Sequence, residues 1–129
     1  MTSPLPCLLV EIPGQIKSMA NRSGSWHVKA EYARTWRFST KVLVMEARGR
    51  NGWATIGPDI PKEITFKAYT RNPMDDDNLR SGLKAVRDGL QDAQIIQNDR
   101  PSAGHVFIYQ QEIDRKHPLR VVIRIAVRT

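Results

Sequence analysis

The stretch EITFKAYTRNPMDDDNLRSGLKAVRDGL, residues 63–90, changes its hydrophobic period once, and that change predicts the fold. Over Glu63–Thr70, Ile64, Phe66 and Ala68 alternate with Lys67 and Tyr69. A period of two places such residues on one face of a strand. Asn72-Pro73 ends the run, because proline donates no N–H and restricts the residue before it. From Asn78 to Leu90 the period becomes helical. Leu79, Leu83, Val86 and Leu90 recur at i, i+4, i+7 and i+11 and form one buried stripe.

Upstream, Leu5–Ile12 reads as a strand ended by Pro13-Gly14, and the polar run Gln15–Trp26 reads as a loop. Lys29–Arg48 predicts a helix whose buried face carries Ala33, Trp36, Thr40, Leu43, Val44 and Ala47. Arg34, Arg37, Lys41 and Arg48 make its other side basic, and Gly49 is placed to close it. Asn51-Gly52 and Gly57-Pro58 mark turns. Downstream, Pro101 and Gly104 mark a loop before two strands, His105–Ile113 and Leu119–Val127, expected to join as a hairpin across Asp114–Pro118. In the last strand Val121, Ile123, Ile125 and Val127 alternate with Val122, Arg124, Ala126 and Arg128. Strand, helix, strand, helix, strand, strand predicts an α+β fold: a single domain over 1–129, with a mixed β-sheet of about four strands and two helices packed on it.

The whole chain bounds the function. It has 129 residues, 40% of them hydrophobic and 26% charged, an ordinary globular balance. No run approaches the roughly 18 apolar residues of a membrane span. The first residues lack a basic start and a long apolar core, so the reading is a cytoplasmic protein that engages no membrane. The single cysteine, Cys7, cannot form an internal disulfide and in its apolar run is expected to be a buried small hydrophobe. The net charge of +7, with a pI near 10, points to polyanionic partners, nucleic acid first.

Against that basic background stand three consecutive aspartates, Asp75-Asp76-Asp77, just before the second helix. One aspartate there serves as an N-cap at the positive end of the helix dipole; three exceed that need. Asp77, Arg80, Lys84 and Asp88 share a polar face, so Lys84 can lean back toward the acidic end or pair with Asp88 one turn on. Converging carboxylates are the donors a hard magnesium ion takes. Such an ion activates water and offsets phosphate charge in phosphodiester hydrolysis. Other chemistries read poorly. His27, His105, His117 and Cys7 give no zinc spacing. DDDNLRSGLKAV lacks the glycine and late glutamate of an EF-hand. There is no phosphate-binding glycine loop, and no spacing suggests a serine–histidine triad.

The segment resembles the RusA family of Holliday junction resolvases. Asp75-Asp76-Asp77-Asn78-Leu79 matches the family's D-x-D-N-L, and Lys84-Ala85-Val86-Arg87-Asp88-Gly89-Leu90 matches its K-A-x-x-D-x-L. Asp99 follows Asp88 by eleven residues, as the family's last aspartate does, and His27-Val28-Lys29-Ala30-Glu31 resembles the H-V-x-A-E that opens its first helix. The resemblance implies a homodimeric, magnesium-dependent endonuclease (manganese a possible substitute) that resolves four-way branched DNA by paired nicks in recombination and repair. It implies Asp75, Asp77 and Asp99 as metal ligands and Lys84 as a catalytic cation, with Asp76 an alternative to Asp75. Lys17, Arg22, Lys29, Arg34 and Arg37 are the candidate phosphate contacts. Two positions depart from the family pattern. Ser81 stands where many members have their lysine, and Asn98-Asp99 replaces a doubled aspartate. These departures keep two alternatives open: a non-catalytic DNA-binding protein of the same fold, and a small basic assembly or RNA-binding partner.

Overall fold

The computed structural model describes residues 7–18 and 26–128. Strand β1 spans Cys7–Pro13, helix α1 Trp26–Arg50, β2 Lys62–Thr70, α2 Asp76–Asp92, β3 Val106–Ile113 and β4 Arg120–Val127. Short 3₁₀ turns lie at Trp53–Thr55 and Pro101–Ala103. The fold is α+β, with a four-stranded mixed sheet and two helices, as the periods predict.

The sheet order is β1-β4-β2-β3. β4 runs antiparallel to both β1 and β2, and β3 runs parallel to β2. β1, β2 and β3 therefore point the same way. The expected hairpin between the last two strands is incorrect, because β2 lies between them. The Asp114–Leu119 connection passes across the end of β2 instead. It is tied there by the Asp114 N–H to the Thr70 carbonyl at 2.9 Å and by Arg115 Nε to the Arg71 carbonyl at 3.2 Å.

Register explains the core. Leu8, Ile125 and Ile64 lie side by side, then Val10, Ile123 and Phe66, then Ile12, Val121 and Ala68. All nine are buried. These rows form one face, and both helices cover it with Trp36, Val44 and Ala47 from α1 and Leu79, Leu83, Val86 and Leu90 from α2. Cys7 is exposed, contrary to its expected burial. A strand sends alternate side chains to opposite faces, so once Leu8, Val10 and Ile12 take the helix side, Cys7 must take the other. α1 also runs past Gly49 to Arg50, and the left-handed residue that follows it is Gly52, with φ 71°.

At the opposite end of β2 from the acidic segment, Lys62 is fully buried. Its ammonium donates to the carbonyls of Gly57 at 2.8 Å and Ile60 at 2.7 Å. Its backbone N–H donates to Nδ1 of His105, whose Nε2 meets Oε1 of Gln97 at 2.8 Å. A ring that accepts at Nδ1 is the neutral tautomer donating from Nε2, and burial lowers the His105 pKa in the same sense. Burial also pushes Lys62 down to about 8. The unfolded chain therefore holds this proton between about pH 8 and the ordinary lysine range while the folded chain does not, and stability rises with pH across that window. Lys62→Met is expected to destabilise by about 1–3 kcal/mol at neutral pH, because two part-buried carbonyls lose their donor. The deficit should widen toward pH 10, as only the parent gains. Urea titrations of both proteins across that range measure it; a deficit that narrows would contradict the assignment.

Candidate metal and nucleic-acid site

The parallel arrangement of β1, β2 and β3 brings their carboxyl ends to one side of the sheet. The segment after β1, residues 14–18, and the segment after β2, residues 71–75, meet there at the start of α2.

Asp75 is the N-cap residue of α2, with φ −62° and ψ 153°, and its carboxylate makes no capping hydrogen bond. Asp76 pairs with Arg80 at 3.0 Å. Asp77 sits exposed in the first turn and has no hydrogen-bond or ion-pair partner among the described residues. Among the described residues two of the three carboxylates are thus unengaged, and they are the first and third, the pair the D-x-D spacing singles out.

The approach to Asp75 is fixed from both sides. Gln111 on β3 accepts from the Met74 N–H at 2.8 Å and donates to the Met74 carbonyl at 2.6 Å. Asn78 accepts from the Ser18 hydroxyl at 2.8 Å. Lys17 donates its N–H to the Tyr32 hydroxyl at 2.9 Å, and that hydroxyl donates to the Gly82 carbonyl at 3.0 Å. A side chain at Gly82 would lie 2.7 Å from the Lys17 carbonyl oxygen, so the β1–α1 segment rests directly on the α2 backbone.

Asp99 is placed differently. Its carboxylate pairs with Arg87 at 3.0 Å. Arg87 also donates to the Tyr109 hydroxyl at 2.8 Å and lies over the Phe107 ring at 5.5 Å. Arg80 covers the Tyr109 ring at 4.8 Å. A polar chain thus runs Asp76–Arg80–Tyr109–Arg87–Asp99 along the face of α2 that meets β3. Asp77 and Arg87 are ten residues apart on that helix, a rise of about 15 Å. Among the described residues no three histidine, cysteine or carboxylate groups stand close enough together to hold a metal ion. In donor chemistry the site suits magnesium, which takes one or two carboxylates and keeps its waters. Asp75 and Asp77 are such a pair, whereas Asp99 is held on Arg87.

Lys84 turns away from the aspartates and pairs with Asp88 at 3.1 Å. It lines a groove between α1 and α2 together with Lys29, Tyr32, Ser81 and Asp88. Ser81 donates to the Asn78 carbonyl at 3.2 Å. Lys17 lines a neighbouring groove with Glu31, Tyr32 and Trp36. Arg34 is exposed on α1 beside Phe38. Arg37 makes a two-pronged pair with Asp92, one arm at 2.9 Å, which joins α1 to the end of α2. That pair raises the Arg37 pKa and lowers that of Asp92. Arg22 lies outside the described residues. Sequence reading missed Arg87, Tyr109 and Gln111. Arg80 and Arg87, seven residues apart, do signal a shared helix face, but their aromatic partners emerge only once β3 is aligned beside β2.

No protein-family model matches the chain, and a search of curated proteins finds no match either.

Proposed function

We propose that the chain is a magnesium-dependent, structure-selective endodeoxyribonuclease that nicks four-way branched DNA as a homodimer. The observation that carries this reading is the pair of carboxylates, Asp75 and Asp77, that are unengaged among the described residues at the carboxyl edge of the sheet, in a chain of net charge +7. A basic surface attracts the phosphate backbone through counterion release, and the acidic pair supplies the site that a bare basic surface lacks. Asp75 and Asp77 would hold the ion; Asp99, held on Arg87, would join them only through a movement of the segment that carries it. When bound, magnesium lowers the pKa of a coordinated water and offsets charge on the phosphate oxygens.

The chain's own groups do the rest. Lys17 and Lys29 sit on grooves flanking Tyr32, where they position a strand without reading its sequence. Lys84, in the same groove as Lys29, would balance phosphate charge once it exchanges Asp88 for the substrate. A two-fold dimer would present two equal sites, which matches paired nicks in a roughly two-fold junction.

The pairing of Asp99 with Arg87 and of Lys84 with Asp88 favours one second reading, a DNA-binding protein that does not cut. A cleavage assay on a four-way junction against linear duplex, in magnesium and in manganese, separates the two. The nuclease reading expects paired nicks in the junction and little cutting of duplex. Binding without nicks in either metal would replace it with the second.

A further inference from the structure

Helix α1 carries two apolar stripes, and the core uses one of them. Trp36, Thr40, Val44 and Ala47 are buried. Val28, Phe38, Val42 and Met45 stand on the opposite side of the same helix and are 45%, 67%, 45% and 50% exposed. They are four of the eight large hydrophobics exposed among the described residues. A single exposed hydrophobic is ordinary, but four aligned along one helix side mark a surface that docks something.

The spacing says what fits there. Thr35, Phe38, Val42, Met45 and Gly49 follow alternate steps of three and four, the heptad seam of a helix that packs along another helix. All five are exposed. The β-branched Thr35 and Val42 take the a positions and the longer Phe38 and Met45 the d positions, which suits a parallel two-stranded pair. The seam runs for about 21 Å. Its helix is already ordered by its buried side, so docking carries no cost of forming a helix.

Charge selects the partner and its direction. Lys41 and Glu46 flank the seam on opposite sides, at the g and e positions. In a parallel pair Lys41 of each copy meets Glu46 of the other. An antiparallel pair would instead set Lys41 against Lys41 and Arg34 against Arg48. The seam is therefore complementary to itself in one direction, as a two-fold interface requires. Within its own chain Glu46 makes a loose, exposed pair with Arg50 at 3.6 Å, which docking can exchange.

We propose that a second copy of this chain docks on the Thr35–Gly49 seam, with the two α1 helices parallel about a two-fold axis. α1 and α2 run in the same direction, since Tyr32 meets Gly82 and Arg37 meets Asp92. The parallel pair thus turns both copies of Asp75 and Asp77 toward one end of the dimer. At that end Glu31, next in the heptad, repels its counterpart, so the helices part beside the grooves lined by Lys17 and Lys29. The proposal locates the dimer of the nuclease reading and rests on that reading only for its use in paired nicking.

Sedimentation equilibrium of the full chain tests it. The parent is expected to dimerise at micromolar concentration. Phe38→Ser and Val42→Ser should keep the parental helix content, because both side chains are exposed in the single copy. Each should weaken dimerisation about a hundredfold, roughly tenfold for the side chain lost from each copy. Lys41→Glu and Glu46→Lys should each weaken it about tenfold, and the two combined should restore it. A parent that stays monomeric into the hundred-micromolar range overturns the proposal, as does a dimer that Phe38→Ser and Val42→Ser leave unchanged. A combined charge exchange that stays as weak as the single variants overturns the parallel direction. A dimer built this way that never nicks a junction removes the nuclease reading and leaves the interface; a monomer that nicks junctions does the reverse.

Discussion

Asp77→Asn is expected to leave junction binding within about twofold of the parent and to lower magnesium-dependent cleavage by about a thousandfold or more. The size follows from what a metal ligand supplies: several kcal/mol of transition-state stabilisation, with each 1.36 kcal/mol worth about tenfold. The selectivity follows from position. Asp77 is exposed in the first turn of α2 and pairs with nothing among the described residues, so no buried group loses a partner. The fold gives up only a favourable charge at a helix start, about 0.3–1 kcal/mol. Asp76→Asn is the control. It breaks the surface pair with Arg80 and should reduce cleavage little, because Asp76 already has a partner and Asp75 has none among the described residues. Single-turnover cleavage of both variants decides the assignment. Asp77→Asn cutting at the parental rate would remove Asp77 from the site. A large loss in Asp76→Asn, with Asp75→Asn near parental, would exchange the two neighbours.

Gly89→Ala is expected to cost about 2 kcal/mol of stability, a fall in Tm of roughly 5–10 °C for a chain of this size. Helix propensity alone predicts the reverse sign, since alanine is favoured over glycine by about 1 kcal/mol inside a helix. Packing outweighs it. A Cβ at position 89 would lie 2.6 Å from the Thr40 Cβ and 2.9 Å from the Arg37 carbonyl oxygen. Neither is the far end of a flexible side chain, so α1 and α2 must separate to admit it. A separation also strains the Arg37–Asp92 pair and moves the α1 wall of the groove that holds Lys29 and Lys84. Thermal melts of parent and variant test this; a variant that melts at or above the parental temperature would show that the helices do not meet as closely here.

The core was legible because binary patterning is local. Ile64, Phe66 and Ala68, the stripe Leu79–Leu83–Val86–Leu90, and Val121, Ile123 and Ile125 all lie where their periods put them. The site was legible in part. The D-x-D spacing marked Asp75 and Asp77, and among the described residues those two carboxylates have no partner while Asp76 pairs with Arg80. Arg87 and Tyr109, by contrast, give no joint sequence signal; their hydrogen bond emerges only once β3 lies beside β2.

The sequence by itself determined which residues form helices and strands and which stripe of each is apolar, because periods of 2 and 3.6 depend on near neighbours alone. It did not determine which strands pair. Only the tertiary structure placed β4 between β1 and β2, sent Cys7 to the open face, set Gly89 against Thr40, and turned Asp99 to Arg87 and Lys84 to Asp88. Each of those outcomes is a competition among partners distant along the chain or alternative within reach, and register and packing decide it after the local pattern has already been satisfied.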